Sequence, residues 1–192
     1  MHSIILASAS PRRKELLEIF NIPFQVREAN IQEQIYTDET PEQIAMALAF
    51  EKAFAVSQSC NENAIVIAAD TIVVKDQILG KPANWQESYR MLKMLQGDVH
   101  EVITGLAVIQ AHTDNKVVSY EKTKVKLKKL SDMQIKKYIE TGEGWDKAGS
   151  YAIQGKGSAI VEWIQGDYFN VVGLPISLLY DILCKYFQTS LI

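Results

Sequence analysis

The sequence predicts an α/β protein: a mixed, twisted sheet flanked by helices. Strand-like and helix-like segments alternate early in the chain, whereas hairpins dominate late, a combination that excludes an all-parallel sheet. One apolar, β-branched run, residues 64–74, has the composition of a strand buried on both faces. At 192 residues the chain is expected to form a single domain, 1–192, with a substantial core.

The first strand is expected at Ile4-Ile5-Leu6, followed by the loop Ser8-Ala9-Ser10-Pro11-Arg12-Arg13 and a helix carrying Leu16, Leu17 and Phe20. Pro11 suits a first helical turn, and Ser10 before it is expected to cap that turn with its hydroxyl. Such a helix opens onto its loop with unpaired N–H groups and the positive end of its dipole. Two serine hydroxyls and two guanidinium groups beside them favour an anion, most simply a phosphate. The alternative is a capped helix with two solvated arginines.

Residues 22–26 read as an edge strand because Pro23 is tolerated there. A polar segment, 27–39, contains Glu33. Thr40-Pro41-Glu42-Gln43 forms a capping box that opens a helix carrying Ile44, Leu48, Lys52 and Val56. The buried strand 64–74 is interrupted by Asp70 and Thr71. A turn at Lys75-Asp76-Gln77 leads to a short partner strand, which Gly80-Lys81-Pro82 ends. A helix is expected over Trp85–Leu95 with Gly97 after it, then a strand over 99–109 broken at Thr104-Gly105. The turn Thr113-Asp114-Asn115 leads into a strand over 117–127, where Lys122, Lys124 and Lys126 alternate with Thr123, Val125 and Leu127. That lysine row reads as a solvated face. A second capping box, Ser131 to Gln134, starts a helix that stops at Gly142. The glycine-rich passage 142–157 follows, then a strand over 159–164 and a final helix from Pro175.

Hydrophobic residues make up 47% and charged residues 22%, ordinary values for a globular chain. No stretch reaches the ~18 apolar residues of a membrane span, and no secretory signal is evident, so the cytoplasm is the expected location. Cys60 and Cys184 are the only cysteines and are far apart, which argues against a disulfide framework or a zinc site. A net charge of -3 argues against a nucleic-acid surface and suits a small anionic substrate held in a local basic pocket.

Asp70 is the most informative residue. A carboxylate inside an apolar strand is costly unless a metal, a cation or a catalytic role compensates. The alternative is a structural carboxylate paired with a lysine or capping a loop. Arg12, Arg13, Lys52 and Lys81 gathered around Asp70, with Glu33 as a further carboxylate, would neutralise a polyphosphate and hold a divalent metal through hard oxygen ligands.

At these residues the chain resembles the Maf-type nucleoside triphosphate pyrophosphatases. The resemblance rests on Leu6-Ala7-Ser8-Ala9-Ser10-Pro11-Arg12-Arg13 with Leu16-Leu17, on Glu51-Lys52-Ala53, and on Ala69-Asp70-Thr71-Ile72-Val73. It continues through Gly80-Lys81-Pro82, His100-Glu101-Val102-Ile103-Thr104-Gly105, and Asp146-Lys147-Ala148-Gly149-Ser150-Tyr151 with Ile153-Gln154-Gly155. It ends at Asn170-Val171-Val172-Gly173-Leu174-Pro175. The blocks occur in the family's order along nearly the whole chain.

The resemblance implies an elongated, two-lobed Maf/ITPase-like fold with a central cleft, commonly a homodimer. It implies hydrolysis of a nucleoside triphosphate between its α and β phosphorus atoms, with Mg²⁺, or Mn²⁺ or Co²⁺ in its place. Asp70 would be the proton acceptor and, with Glu33, a metal ligand; Ser8, Ser10, Arg12, Arg13, Lys52 and Lys81 would bind phosphate. Arg13, Thr71 and Gln154 match the branch that acts on dTTP and UTP. The Gln154 amide offers both a donor and an acceptor to a pyrimidine edge, or else it bonds backbone in its own loop. A nucleotide-binding regulator of septum formation is the alternative class. A P-loop NTPase is excluded by the lack of G-x-x-x-x-G-K-[ST].

Overall fold

The computed structural model describes residues 3–31, 39–60 and 64–192. Its elements run β1 (Ile4–Leu6), α1 (Pro11–Glu18), β2 (Phe24–Val26), α2 (Pro41–Ser57), β3 (Ile65–Val74), β4 (Ile78–Leu79) and α3 (Trp85–Leu95). They continue with β5 (Val99–Gln110), β6 (Lys116–Leu127), α4 (Asp132–Glu140), 3₁₀ turns at Ala148–Ser150 and Gly155–Ala159, β7 (Val161–Gln165), α5 (Tyr168–Val172) and α6 (Ile176–Phe187). The strands form one seven-stranded sheet in the order β2-β1-β3-β5-β6-β7, with β4 paired to β3. It is mixed, as expected: β1 lies parallel to β2 and β3, whereas β4 on β3 and β7 on β6 are antiparallel. Among the described residues no helix is long and apolar enough to cross a membrane.

Contacts divide the chain into two compact units. The first comprises Met1–Asp70, Thr104–Glu121 and Gly173–Ile192; the second comprises Thr71–Ile103 and Lys122–Val172. Each has its own core.

In the first unit the core is small-residue packing. Ala45, Ala49 and Ala53, four apart on α2, are fully buried, so that helix lies close against its neighbours. Gly105 is where the approach is tightest: a Cβ there would sit 2.0 Å from the Ala45 carbonyl oxygen. This corrects the expected break at Thr104-Gly105. β5 runs unbroken through the glycine, which makes room for α2 rather than ending the strand.

The second unit packs larger side chains, among them Leu92, Leu95, Leu127, Ile135, Tyr138 and Tyr151. Thr123, Val125 and Leu127 face inward, and the intervening lysines lie outside them. Lys122 pairs with Glu101 at 3.3 Å and Lys126 with Glu162 at 3.2 Å, so the row is a charged strand face.

Both capping boxes form, Thr40 with Gln43 and Ser131 with Gln134. Other expectations need correction. Ser10 occupies the cap position of α1, but its hydroxyl makes no capping bond; its N–H donates to Ser8 Oγ at 3.1 Å instead. Helix α1 stops at Glu18, which leaves Phe20 in the turn beyond it, and β2 starts at Phe24 rather than at residue 22. The stretch expected as a strand from residue 159 begins as a 3₁₀ turn, so β7 opens only at Val161. Helix α5 was not expected from the sequence, because five residues cannot display a helical period.

Candidate active site

The first unit gathers six of the expected residues: Ser8, Ser10, Arg12, Arg13, Lys52 and Asp70. β1 ends with the Ala7 N–H donating 2.7 Å to the Ile67 carbonyl on β3, so the loop after β1 leaves from a fixed point beside the strand that carries Asp70. Ser8 is buried there, and its Oγ accepts from two donors, the Ser10 N–H at 3.1 Å and Arg13 Nη1 at 3.3 Å. Arg13 Nε donates to the Gly173 carbonyl at 2.7 Å. The guanidinium is thereby oriented by the protein itself. Arg12, on the same turn, is half-buried. The Gly173 carbonyl is a site component that side-chain reasoning missed, since a backbone acceptor has no letter of its own; the only signal was the block Asn170 to Pro175.

Lys52 projects from α2 and donates to Asp70 Oδ1 on β3, forming an ion pair. The two side chains keep only 16% and 14% of their surface exposed, so each charge is largely withdrawn from water and depends on the other. Both readings of Asp70 thus meet in one observation. The carboxylate is paired with a lysine, and that lysine is a residue expected to bind phosphate. Glu33 lies outside the described residues. Among those described, no three His, Cys, Asp or Glu side chains converge as a ready-made metal cage.

The second unit holds Thr71, Lys81 and Gln154. Thr71 follows Asp70 directly on β3 and is half-buried; Lys81 is exposed. Gln154 sits immediately before the 3₁₀ turn Gly155–Ala159, and its side chain makes no capping bond to that turn. The loop around it is held by several groups to which the sequence assigned no individual role. The Gly149 N–H donates to the Gly80 carbonyl at 3.0 Å, and the Ser88 and Ser150 hydroxyls meet in the interior. His100 Nε2 lies 2.7 Å from the Tyr151 hydroxyl, and the Ala152 N–H donates to the Tyr138 hydroxyl at 3.0 Å. Burial, with the Lys75 ammonium nearby, pulls the His100 imidazole down to about 4, and burial is the main cause that pushes the Tyr151 phenol well above its ordinary range.

A family model described as Maf-like protein matches residues 3–186. The chain belongs to this Maf-like family. Two Maf-like relatives are similar over nearly their whole lengths. One, from Caldanaerobacter subterraneus subsp. tengcongensis, bears the name dTTP/UTP pyrophosphatase and is 55% identical over 96% of this chain and 89% of its own. Another, from Alkaliphilus oremlandii and of the same name, is 50% identical over 100% of both chains. Among solved structures, a HAM1 protein from Coxiella burnetii covers 66% of this chain and 73% of its own at 13% identity, with a TM-score of 0.47.

Proposed function

We propose that this Maf-like chain hydrolyses nucleoside triphosphates, dTTP and UTP ahead of other bases, at the α–β phosphoanhydride to give the monophosphate and pyrophosphate. The observation that carries the reading is the union in one unit of an oriented Ser8–Arg13 anion loop and the Lys52–Asp70 pair. The shared name of relatives at 55% and 50% identity supports it.

Asp70 acts as general base, accepting the proton of the attacking water. Lys52 pairs with that carboxylate in the resting protein and offers its ammonium to phosphate oxygens when substrate enters. Arg12, Arg13, Ser8, Ser10 and Lys81 take the remaining phosphate contacts and stabilise the charge that gathers on departing pyrophosphate. Thr71, Gln154 and Arg13 choose the base.

Mg²⁺ asks for only one or two protein carboxylates beside phosphate oxygens and waters, a requirement that Asp70 fits, with Glu33 proposed as the second ligand. When bound, the ion supplies charge neutralisation and a lowered pKa for water. We extend the reading to a cytoplasmic homodimer.

The test is a panel of nucleoside triphosphates incubated with the protein and Mg²⁺, with products separated by chromatography. Monophosphate and pyrophosphate, formed fastest from dTTP and UTP, are expected. Diphosphate and phosphate, or no turnover, would overturn the proposal; equal rates on all bases would remove the pyrimidine preference alone.

A further inference from the structure

We infer that Glu143 is a positioning residue for Gln154, setting the selectivity between bases without touching the substrate. The inference rests on the specificity role proposed above for Gln154. One carboxylate oxygen of Glu143, Oε1, accepts from the Lys156 N–H at 2.7 Å, and the other, Oε2, from the Gly157 N–H at 2.8 Å. Charge-assisted bonds to two successive backbone donors fix the peptide plane as well as its distance.

The chain is shaped to admit that carboxylate. Gly155 has φ +60, and a Cβ on it would lie 2.3 Å from Glu143 Oε1. Any other residue would displace the acceptor or strain the turn. On the other side of Gln154, the Ala152 N–H donates to the Tyr138 hydroxyl, which lies 3.5 Å from Glu143 Oε2. Tyr138 belongs to α4, and Glu143 follows that helix by a few residues. Gln154 is therefore pinned two residues away on each side, by two side chains that are themselves neighbours.

Its own amide makes no capping bond, so its place is inherited from the backbone anchors. Hydrogen-bond discrimination needs a group held to within ~0.5 Å. A slack loop would keep Gln154 present and cost it its aim.

The experiment compares kcat/KM for dTTP, UTP, CTP and ATP, with Mg²⁺, in the wild type, Gln154→Ala, Glu143→Gln and the double variant. Glu143→Gln keeps shape and one acceptor oxygen but presents an NH₂ group to a backbone N–H. The expected result is a fall of about tenfold in the dTTP-to-ATP ratio, the scale of one lost hydrogen bond, in both single variants. The double variant should fall no further, because both changes remove the same interaction. Glu143→Asp, which retains the charge, should restore part of the ratio.

If Glu143→Gln lowers the melting temperature or slows all four nucleotides equally while Gln154→Ala alone changes the ratio, the carboxylate is structural and the inference fails. Should Glu143→Gln not fold, Glu143→Asp decides by the same ratio. If Gln154→Ala leaves the ratio untouched, the specificity role itself is lost, and the positioning role with it.

Discussion

Asp70 pairs with Lys52, and substitution of the carboxylate tests the proposed base. Asp70→Asn preserves shape but removes basicity, so turnover should fall by at least ~10²-fold while circular dichroism still reports a folded protein. Near-normal turnover in the folded variant would remove Asp70 from the mechanism. Lys81, by contrast, is exposed. Lys81→Ala should raise KM or lower kcat for triphosphates and leave the melting temperature within about 2 °C, because exposed cations contribute little to folding. A loss of stability with unchanged kinetics would show Lys81 to be structural. At this scale the sequence was legible where chemistry sits in side chains: Asp70 stood out by its apolar surroundings and Lys52 by its reach. It was silent on the Gly173 carbonyl and on the redirected Ser10 N–H, because backbone groups leave no composition signal. Ser8 shows what that silence hides. Its oxygen accepts from two donors, the Ser10 N–H and Arg13 Nη1, so the serine ties the loop backbone to the guanidinium.

Elements were most legible where local chemistry decides. The 3.6-residue apolar period, with Gly97 beyond it, placed the helix Trp85–Leu95 to the residue, and both S/T-x-x-Q boxes formed. Legibility failed where a distant element sets the outcome. Thr104-Gly105 has the letters of a strand break, yet the glycine is needed because α2 passes over it. Gly105→Ala should therefore cost about 3 kcal/mol or more, since backbone rather than a flexible side chain must yield, and lower the melting temperature by roughly 6 to 12 °C. Differential scanning calorimetry measures this directly. A variant as stable as the wild type would mean that α2 shifts freely, against the tight alanine packing of Ala45, Ala49 and Ala53.

For the whole molecule, pH gives a readable signature. Above pH 6.5 His100 is neutral whether the chain is folded or not. Below it the unfolded chain takes up the proton, while the folded one resists until about 4, because the ring is buried and, among the described residues, its Nδ1 has no hydrogen-bond partner. Stability should therefore fall as pH drops from 6.5 to about 4, by up to ~3 kcal/mol, and this contribution should level off below. Urea midpoints across that window test it: His100→Gln should flatten the slope, and an unchanged slope would place the titration elsewhere. The bond between Arg13 and Gly173 has a different consequence, one of timing. Its partners stand 160 residues apart, and the first unit is closed by Gly173–Ile192, whereas every residue of the second unit precedes that segment. During synthesis, which proceeds from the N-terminus, the second unit has all its chain available before the first can be completed. The loop after β1, made before the second unit, thus gains its Gly173 anchor only after all of the second unit's chain has been made.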